Sequence, residues 1–207
     1  MIKYLGQSKQ DEFVIKTLNY KKNGYFLEIG SNHPININNS YILEKEYNWT
    51  GLLVEYDQKY EDLYKLHRTS KYIIKDATTI DYNSLFLQYN FPKNMDYLQI
   101  DLEVSNNSTL KTLELLDNTL FKNYTFSVIT FEHDIYTGDH YNTRAKSREI
   151  FLRNGYVLVF SDVKNSGYPY EDWYVHPNYV NMDFINKIKS DKTMEYSEII
   201  SIVDLNM

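Results

Sequence analysis

Acidic side chains recur along this sequence at the ends of short apolar runs. The runs are rich in β-branched and aromatic residues and are bounded by Gly or polar residues. The acidic residues that end them are Glu28, Glu55, Asp76, Asp101 and Glu132. Because charged side chains are rarely buried without a partner, five acidic ends in series favour a shared ligand site. The alternative is that they are the solvated starts of loops.

The apolar runs alternate with segments of helical periodicity. The runs are typical of strands buried on both faces, and the predicted strands are 25–30, 52–55, 72–76, 95–101, 126–132 and 155–160. The predicted helices are 8–18, 39–47, 58–66, 109–116 and 143–154, with Ser8 and Thr109 as caps. This alternation predicts a parallel α/β sheet, whose ligands bind at the carboxyl ends of the strands.

Composition limits the classes of protein and partner. A chain of 207 residues suits one domain, and its net charge of −6 argues against a nucleic-acid partner. The absence of Cys excludes disulfides, Cys-ligated zinc and thiol nucleophiles. No run approaches the length of a membrane span, and the first residues lack the apolar core of a secretory signal. We therefore expect a cytoplasmic protein, in the host cytoplasm if the source is a virus.

The loop after the first predicted strand indicates a ligand without phosphate groups. Gly30 permits a tight turn and a close approach of the backbone, but the G-x-G-x-x-G phosphate cradle is missing. Glu55 suits the hydroxyls of a ribose, and Asp76 suits the amine of an adenine. S-adenosylmethionine (SAM) has ribose, adenine and a cationic sulfonium but no phosphate. It is the ligand that fits this pattern, and a dinucleotide such as NAD is disfavoured.

Several motifs of the chain resemble the FkbM family of SAM-dependent methyltransferases. The similar segments are 25–32, 39–44, 49–56, 97–103, 129–134, 155–157 and 171–175, in consistent order over roughly residues 23 to 180. The resemblance implies a Rossmann-like class I methyltransferase fold: a mostly parallel seven-stranded sheet with helices on both faces and an antiparallel last strand. It implies one domain over 1–207, with an N-terminal helical extension (1–22), a core (23–180) and a C-terminal segment (181–207).

The resemblance also implies a cofactor site. It puts Glu28, Gly30 and Asn32 near the methionine end of SAM, and Glu55 at the ribose. Asn39 and Ser40 open the next helix, where they either contact the cofactor carboxylate or cap the helix. The predicted cofactor-binding residues are Glu28, Gly30, Ser31, Asn32, Asn39, Ser40, Glu55, Tyr56, Asp76 and Ala77.

The remaining strand-end residues are candidates for catalysis. Methyl transfer to a hydroxyl requires removal of its proton, which a base or a metal ion promotes. His133 suits a general base, and Asp101 is the alternative base or orients His133. Asp101 and Glu132, with or without His133, also suit Mg²⁺ or a similar divalent cation. The plainer alternative is that Asp101 and Glu132 only bond the backbone at the strand ends.

The predicted reaction is O-methylation of a hydroxyl on a sugar or glycan, because the family resemblance points to that acceptor. His33, Tyr136 and Trp173 are the predicted substrate-binding residues, with Trp173 stacking on a sugar ring or, alternatively, belonging to a lid or the final strand. The alternative functions are O-methylation of a polyketide or lipid hydroxyl, and nucleoside binding without catalysis.

Overall fold

A single seven-stranded sheet organises the chain in the computed structural model, which describes residues 2–207. The strands are β1 (Tyr25–Ile29), β2 (Thr50–Glu55), β3 (Lys71–Ile74), β4 (Asn94–Ile100), β5 (Thr125–Glu132), β6 (Val157–Asn165) and β7 (Tyr168–Val175). Their order is β3-β2-β1-β4-β5-β7-β6, and β7 alone runs antiparallel to both its neighbours, β5 and β6. The predicted Rossmann-like fold, with its antiparallel last strand, is confirmed.

Eight α-helices cover the two faces of the sheet. They are α1 (Gln10–Thr17), α2 (Tyr41–Tyr47), α3 (Glu61–His67), α4 (Tyr82–Gln88), α5 (Ser108–Asn118), α6 (Thr143–Arg153), α7 (Met182–Ile188) and α8 (Tyr196–Leu205), all within residues 2–207. Successive strand side chains point to opposite faces, so Phe26 and Leu27 enter different cores. One core packs against α4, α5 and α6, and the other against α1, α2, α3, α7 and α8. Within residues 2–207, none of the helices combines the length and hydropathy needed to cross a membrane.

Two predicted helix caps are wrong. Helix α1 begins after Lys9, which adopts a left-handed conformation (φ 61°), and the Ser8 hydroxyl instead bonds the hydroxyl of Tyr170 at 2.6 Å. Helix α5 begins after Asn107, and Thr109 lies inside it and donates to the carbonyl of Leu102 at 2.8 Å. In both cases the side-chain hydroxyl bonds a residue outside the helix, so it does not cap the first turn.

Trp173 lies in the core of the molecule. It belongs to β7, opposite Thr130 of β5, and its side chain has no exposed surface. Its ring stacks on Phe13 of α1 with centroids 4.6 Å apart. The predicted contact of Trp173 with a sugar is therefore wrong, and the alternative position in the final strand is the one observed. The same contact joins α1 to the sheet.

Candidate cofactor and acceptor cleft

An open cleft lies at the carboxyl ends of β1, β2, β4 and β5. Its middle part, the central cavity, has a volume of about 350 Å³. The residues lining the central cavity are Gln7, Glu28, Gly30, Asn32, Ile37, Asn39, Glu55, Tyr56, Asp101, Leu102, Glu103, Glu132 and Asp134. Six of these residues carry carboxyl groups and none is basic. The cleft therefore favours a cationic ligand over a phosphate-bearing one.

Two further cavities continue the cleft in opposite directions. The β3-side cavity, also about 350 Å³, shares Tyr56, Leu102 and Glu103 with the central cavity. Asp76, Ala77, Asn106 and Ser108 complete its lining. The β5-side cavity, about 390 Å³, shares Gln7, Asn32, Asp101, Glu132 and Asp134 with the central cavity and adds Tyr136, Asn165, Tyr168 and Tyr170. The three cavities are thus parts of one continuous cleft.

Gly30 makes the turn between β1 and the cleft. Its backbone is left-handed (φ +82°), and a Cβ atom built on it would lie 1.7 Å from the carbonyl oxygen of Asp101. The backbone of Asp101 is also tied to β1, because its N–H donates to the carbonyl of Ile29 at 3.0 Å. Glycine is required here by the approach of the chain's own backbone, and this approach also sets Asp101 at the floor of the cleft.

Glu28 fixes the loop that precedes α2. Its side chain is buried, Oε1 accepts from the Asn39 N–H at 3.0 Å, and Oε2 accepts from the Ser40 hydroxyl. Burial raises the pKa of Glu28 to about 7, against the opposing effect of the Arg68 guanidinium. Ser40 is wholly buried and also accepts from Arg68 at 2.8 Å, so it supports the site from behind and does not line it.

Asn39 is the member of this loop that reaches the central cavity. Its side chain is 5% exposed, and its Oδ1 is buried without a hydrogen-bond partner among residues 2–207. Buried polar atoms are almost always bonded in folded proteins. This oxygen itself has almost no accessible surface and lies against Gly6, so Asn39 lines the cavity through its other atoms.

Glu55 occupies the end of β2 and faces the central cavity. Its Oε2 accepts from the Asn32 N–H at 2.6 Å, and its Oε1 accepts from the Asp57 N–H at 2.8 Å. A carboxylate has about four acceptor positions, so it retains capacity for two hydroxyl groups. Tyr56, which is 75% exposed, lies next to it and borders both the central and β3-side cavities.

Asp76 and Ala77 line the β3-side cavity, as the prediction of an adenine subsite requires. Asp76 accepts from the hydroxyl and the N–H of Thr78 at 2.7 and 2.9 Å. These bonds lower the pKa of Asp76, which keeps the side chain ionised as an acceptor.

Ser31 and His33 do not line the cleft. The Ser31 hydroxyl is buried and bonds the hydroxyl of Tyr64 at 2.6 Å. The ring of His33 accepts from the N–H groups of Ile35 and Asn36 through Nδ1, at 3.1 Å each. Both residues shape the loop between β1 and α2, and their predicted contacts with cofactor and substrate are not supported.

Asp101, Glu132 and Asp134 form a carboxyl cluster at the boundary of the central and β5-side cavities. Burial raises the pKa of Asp101 to about 6, although the hydrogen bond from Glu132 opposes this. Burial, followed by the charge of Asp101, raises the pKa of Glu132 well above its ordinary value. Burial also raises the pKa of Asp134. Asp101 and Glu132 thus titrate as a pair, in which Glu132 donates a hydrogen bond to Asp101.

His133 points away from the cleft. Its ring is fully buried, with Nε2 3.4 Å from Asp172 Oδ1 and 3.5 Å from Asp162 Oδ1. Its Nδ1 accepts from the Ile135 N–H at 3.3 Å. His133 is absent from the linings of all three cavities. The prediction of His133 as a general base is therefore wrong in this geometry.

The buried group around His133 is already neutralised by arginines. Nε of Arg144 lies 2.6 Å from an Asp162 oxygen, and Nε of Arg148 lies 2.7 Å from an Asp172 oxygen. Ligand atoms of His133, Asp162 and Asp172 lie within 4.8 Å of one another, a spacing suited to a metal ion. Because two guanidinium groups already balance the two carboxylates, the group has no excess negative charge to hold a cation.

The predicted metal site of Asp101 and Glu132 is not supported. In the part of the chain that the structure describes, no third His, Cys, Asp or Glu joins these two residues at the spacing of metal ligands.

Tyrosines form the outer wall of the β5-side cavity. Tyr136, predicted to bind substrate, is 49% exposed, and Tyr168 is 59% exposed. Their rings lie 5.2 Å apart between centroids. Sequence reasoning missed Gln7, Asn165, Tyr168 and Tyr170. These residues follow no motif and meet only because the start of the chain crosses the β6–β7 hairpin.

Solved structures show what this chain is similar to. A candidate rRNA-methylase from Clostridium thermocellum has a TM-score of 0.52 and 13% identity, over 84% of this chain and 98% of that one. A methyltransferase from Pyrococcus furiosus has a TM-score of 0.52 and 12% identity, over 82% of each chain. A candidate O-methyltransferase from Klebsiella pneumoniae has a TM-score of 0.52 and 12% identity, over 81% of this chain and 79% of that one.

These similarities establish the class of fold, which is that of the Rossmann-like methyltransferases. No family model matches the chain, and no curated protein does. The neighbours differ in the acceptor that their descriptions name, so the shared fold leaves the acceptor open. Membership of the FkbM family stays a prediction.

Proposed function

We propose that this protein is a SAM-dependent methyltransferase whose central cavity holds the cofactor. The observation that carries the proposal is the lining of that cavity, which has six carboxyl groups and no basic residue. SAM bears a sulfonium and an ammonium against one carboxylate, so its net charge is complementary to this lining. NAD would bring two phosphates into the same acidic space.

The linings of the cleft fit the parts of SAM in order. The ribose lies against Glu55, whose carboxylate retains acceptor positions, and the adenine enters the β3-side cavity beside Tyr56 and Asp76. The methionine end lies at Glu28 and Asn39, which both line the central cavity. The resemblance to the FkbM family supports the same arrangement.

We assign the acceptor to the β5-side cavity and its class to a sugar or glycan hydroxyl. The exposed rings of Tyr136 and Tyr168 suit the faces of a sugar, and carboxyl groups suit its hydroxyls. The cavity has no basic lining residue, which disfavours the phosphate backbone of a nucleic acid.

Asp101 is the proposed general base. SAM, when bound, supplies an electrophilic methyl group to the acceptor oxygen. Asp101 takes the hydroxyl proton as the oxygen–carbon bond forms, and its raised pKa of about 6 makes it a stronger base than an ordinary aspartate. Glu132 donates a hydrogen bond to Asp101, which opposes the effect of burial on the Asp101 pKa. The residues present do not call for a metal ion in this step.

The acceptor assignment is tested by transfer of the labelled methyl group of SAM. The acceptor panel contains methyl glycosides, hydroxylated fatty acids and a short RNA, with and without Mg²⁺ and EDTA. We expect label in at least one methyl glycoside, at rates that EDTA leaves unchanged. Labelling of the RNA alone, or activity abolished by EDTA, would contradict the assignment.

A further inference from the structure

Gln7 lies where the central and β5-side cavities meet, and it lines both. Its side chain is exposed, whereas its neighbours Gly6 and Ser8 are buried. Within residues 2–207, its carboxamide takes part in no hydrogen bond. The segment 5–9, which we name the N-terminal strap, therefore presents one free polar side chain to the cleft.

The strap is fixed to the start of α1. The Leu5 N–H donates to Asp11 Oδ2 at 2.7 Å, and the Ser8 N–H donates to Gln10 Oε1 at 2.8 Å. The Lys9 N–H donates to the Gly6 carbonyl at 3.1 Å, which closes a turn around Gln7. Because these bonds lie on both sides of Gln7, its backbone has a defined position.

The strap is also fixed to the β6–β7 hairpin. Asn165 Nδ2 donates to the Gln7 carbonyl and to the Ser8 hydroxyl, at 3.2 Å each. The Tyr170 hydroxyl bonds the same Ser8 hydroxyl, and Gln10 Nε2 donates to Glu171 Oε1 at 2.9 Å. The hairpin and the strap together form one wall of the cleft.

Gly6 packs closely against its neighbours, with no space for a side chain. A Cβ atom on Gly6 would lie 2.6 Å from Asn39 Oδ1 and 2.9 Å from both Asp11 Oδ1 and Gln10 Oε1. The strap thus packs directly on Asn39, which lines the central cavity. A segment held this tightly over a ligand cavity is a means of positioning the side chain it carries.

We propose that Gln7 binds the acceptor, and that its carboxamide hydrogen-bonds the acceptor hydroxyl and turns the oxygen toward the cofactor. This inference rests on the proposed function. Transfer takes place where the cofactor and acceptor cavities join, and Gln7 lies at that junction. Carboxyl groups dominate the lining there, so a neutral carboxamide adds a donor beside many acceptors. A donor to the acceptor oxygen orients a lone pair while Asp101 takes the proton.

The first test uses the absence of cysteine from the chain. The Gln7→Cys variant has a single thiol, and its rate of reaction with dithiobis(nitrobenzoate) is measured with and without saturating S-adenosylhomocysteine (SAH). The control variant is Lys3→Cys, because Lys3 is exposed and lines none of the three cavities. We expect SAH to slow the reaction of Gln7→Cys about fivefold or more and to leave Lys3→Cys unchanged.

The second test separates acceptor binding from cofactor binding. For the methyl glycosides that accept label, Gln7→Ala should lower kcat/KM about tenfold or more, with the Kd of SAH within threefold of wild type. The inference would be overturned if SAH protected both thiols equally or left the Gln7→Cys thiol unprotected. It would also be overturned if Gln7→Ala raised the Kd of SAH and left kcat/KM for the acceptor unchanged. Failure of SAH to bind the wild-type protein would instead overturn the proposed function, so the two failures are distinct.

Discussion

Glu132 and His133 illustrate how a strand end separates residues that are adjacent in the sequence. Glu132 lies beside Asp101 in the cleft, whereas His133, the next residue, is buried against Asp162 and Asp172. Neighbouring side chains at the end of a strand point to opposite sides, so Glu132 and His133 cannot both face the acceptor. The base is therefore assigned to Asp101.

We expect Asp101→Asn to lower methyl transfer about 100-fold or more, because the variant keeps the shape of the side chain but cannot accept the proton. The Kd of SAH should stay within about threefold, because the amide is isosteric with the carboxylate and SAH carries no net charge. Both quantities are measured on the same preparation, by transfer of labelled methyl and by calorimetric titration.

His133→Gln is the matched control for that experiment. The variant should melt at a lower temperature, because it disturbs a buried charged group, yet folded protein should keep kcat within about threefold. A His133→Gln variant that melts like wild type but has lost activity would return the role of base to His133.

The pH dependence of the reaction follows from the same carboxyl pair. Asp101 acts only when ionised, so kcat/KM should fall about tenfold per pH unit below a midpoint near 6. The profile is measured at saturating SAM between pH 5 and 8. A rate that is flat across this range, or that rises toward acid, would contradict the assignment of an ionised Asp101.

Glu55 is the residue that tests the ribose site. We expect Glu55→Ala to raise the Kd of SAH about tenfold or more, because the substitution removes the acceptor of two ribose hydroxyls. Asp62→Ala is the control, since Asp62 is 94% exposed on α3, outside the cleft. Calorimetric titration checks both variants. Equal affinity of Glu55→Ala and wild type would exclude the carboxylate from the site.

At the scale of secondary-structure elements, the turn that follows β1 depends on Gly30. Gly30 and Gly167 share a left-handed backbone, with φ of +82° and +88°. They differ in surroundings, because a Cβ at Gly30 meets the Asp101 carbonyl whereas nothing lies within 4 Å of one at Gly167. The comparison of the two separates backbone strain from steric contact.

We expect Gly30→Ala to lower the free energy of unfolding by about 3 kcal/mol or more, through strain and overlap together. Gly167→Ala should lower it by about 1 kcal/mol through strain alone. Urea unfolding followed by circular dichroism measures both. A Gly30→Ala variant as stable as Gly167→Ala would show that the β1 turn relaxes, and would weaken the argument that it fixes Asp101.

The sequence predicts the strands of this sheet better than its helices. Strands β1, β2, β4 and β5 are largely apolar because both their faces are covered, and that pattern is visible without the structure. Helix α4 was not predicted, because only Tyr82 and Phe86 are buried along its length and the apolar periodicity is therefore weak. Helices α7 and α8 lie in the C-terminal segment, to which no element was assigned.

The candidate site is predictable where a single strand end supplies it. Glu55, Asp76 and Asp101 follow predicted strands and line the cleft. The acceptor wall is not predictable in this way, because Gln7 and Tyr168 come together only through the crossing of the strap over the hairpin. Such contacts depend on tertiary packing rather than on a local motif.

For the molecule as a whole, buried carboxyl groups tie stability to pH. Burial raises the pKa of Asp11 and Asp101 to about 6 and of Glu28 and Glu171 to about 7. The folded state therefore binds more protons than the unfolded chain at mildly acid pH. The stability that these groups contribute is complete below their unfolded pKa values, near 4, and is lost as the pH rises through 6 to 7.

We expect the melting temperature of the ligand-free protein to be about 5 °C lower at pH 8 than at pH 6. Glu28→Gln should reduce this difference, because it removes one ionisation while the side-chain oxygen still accepts from Asn39. Differential scanning calorimetry in buffers of matched ionic strength measures the change. A melting temperature that rises between pH 6 and 8 would contradict the burial of ionisable carboxyl groups beneath the cleft.

The central claim is that this acidic cleft binds SAM, and calorimetric titration of the wild-type protein tests it most directly. The ligand is SAH at pH 7.5, with NAD as the control that has the adenosine moiety but adds phosphates. We predict one SAH bound per chain, no measurable NAD binding, and SAH binding about tenfold weaker or more in Glu55→Ala. Folded protein that binds NAD, or that fails to bind SAH, would contradict the claim.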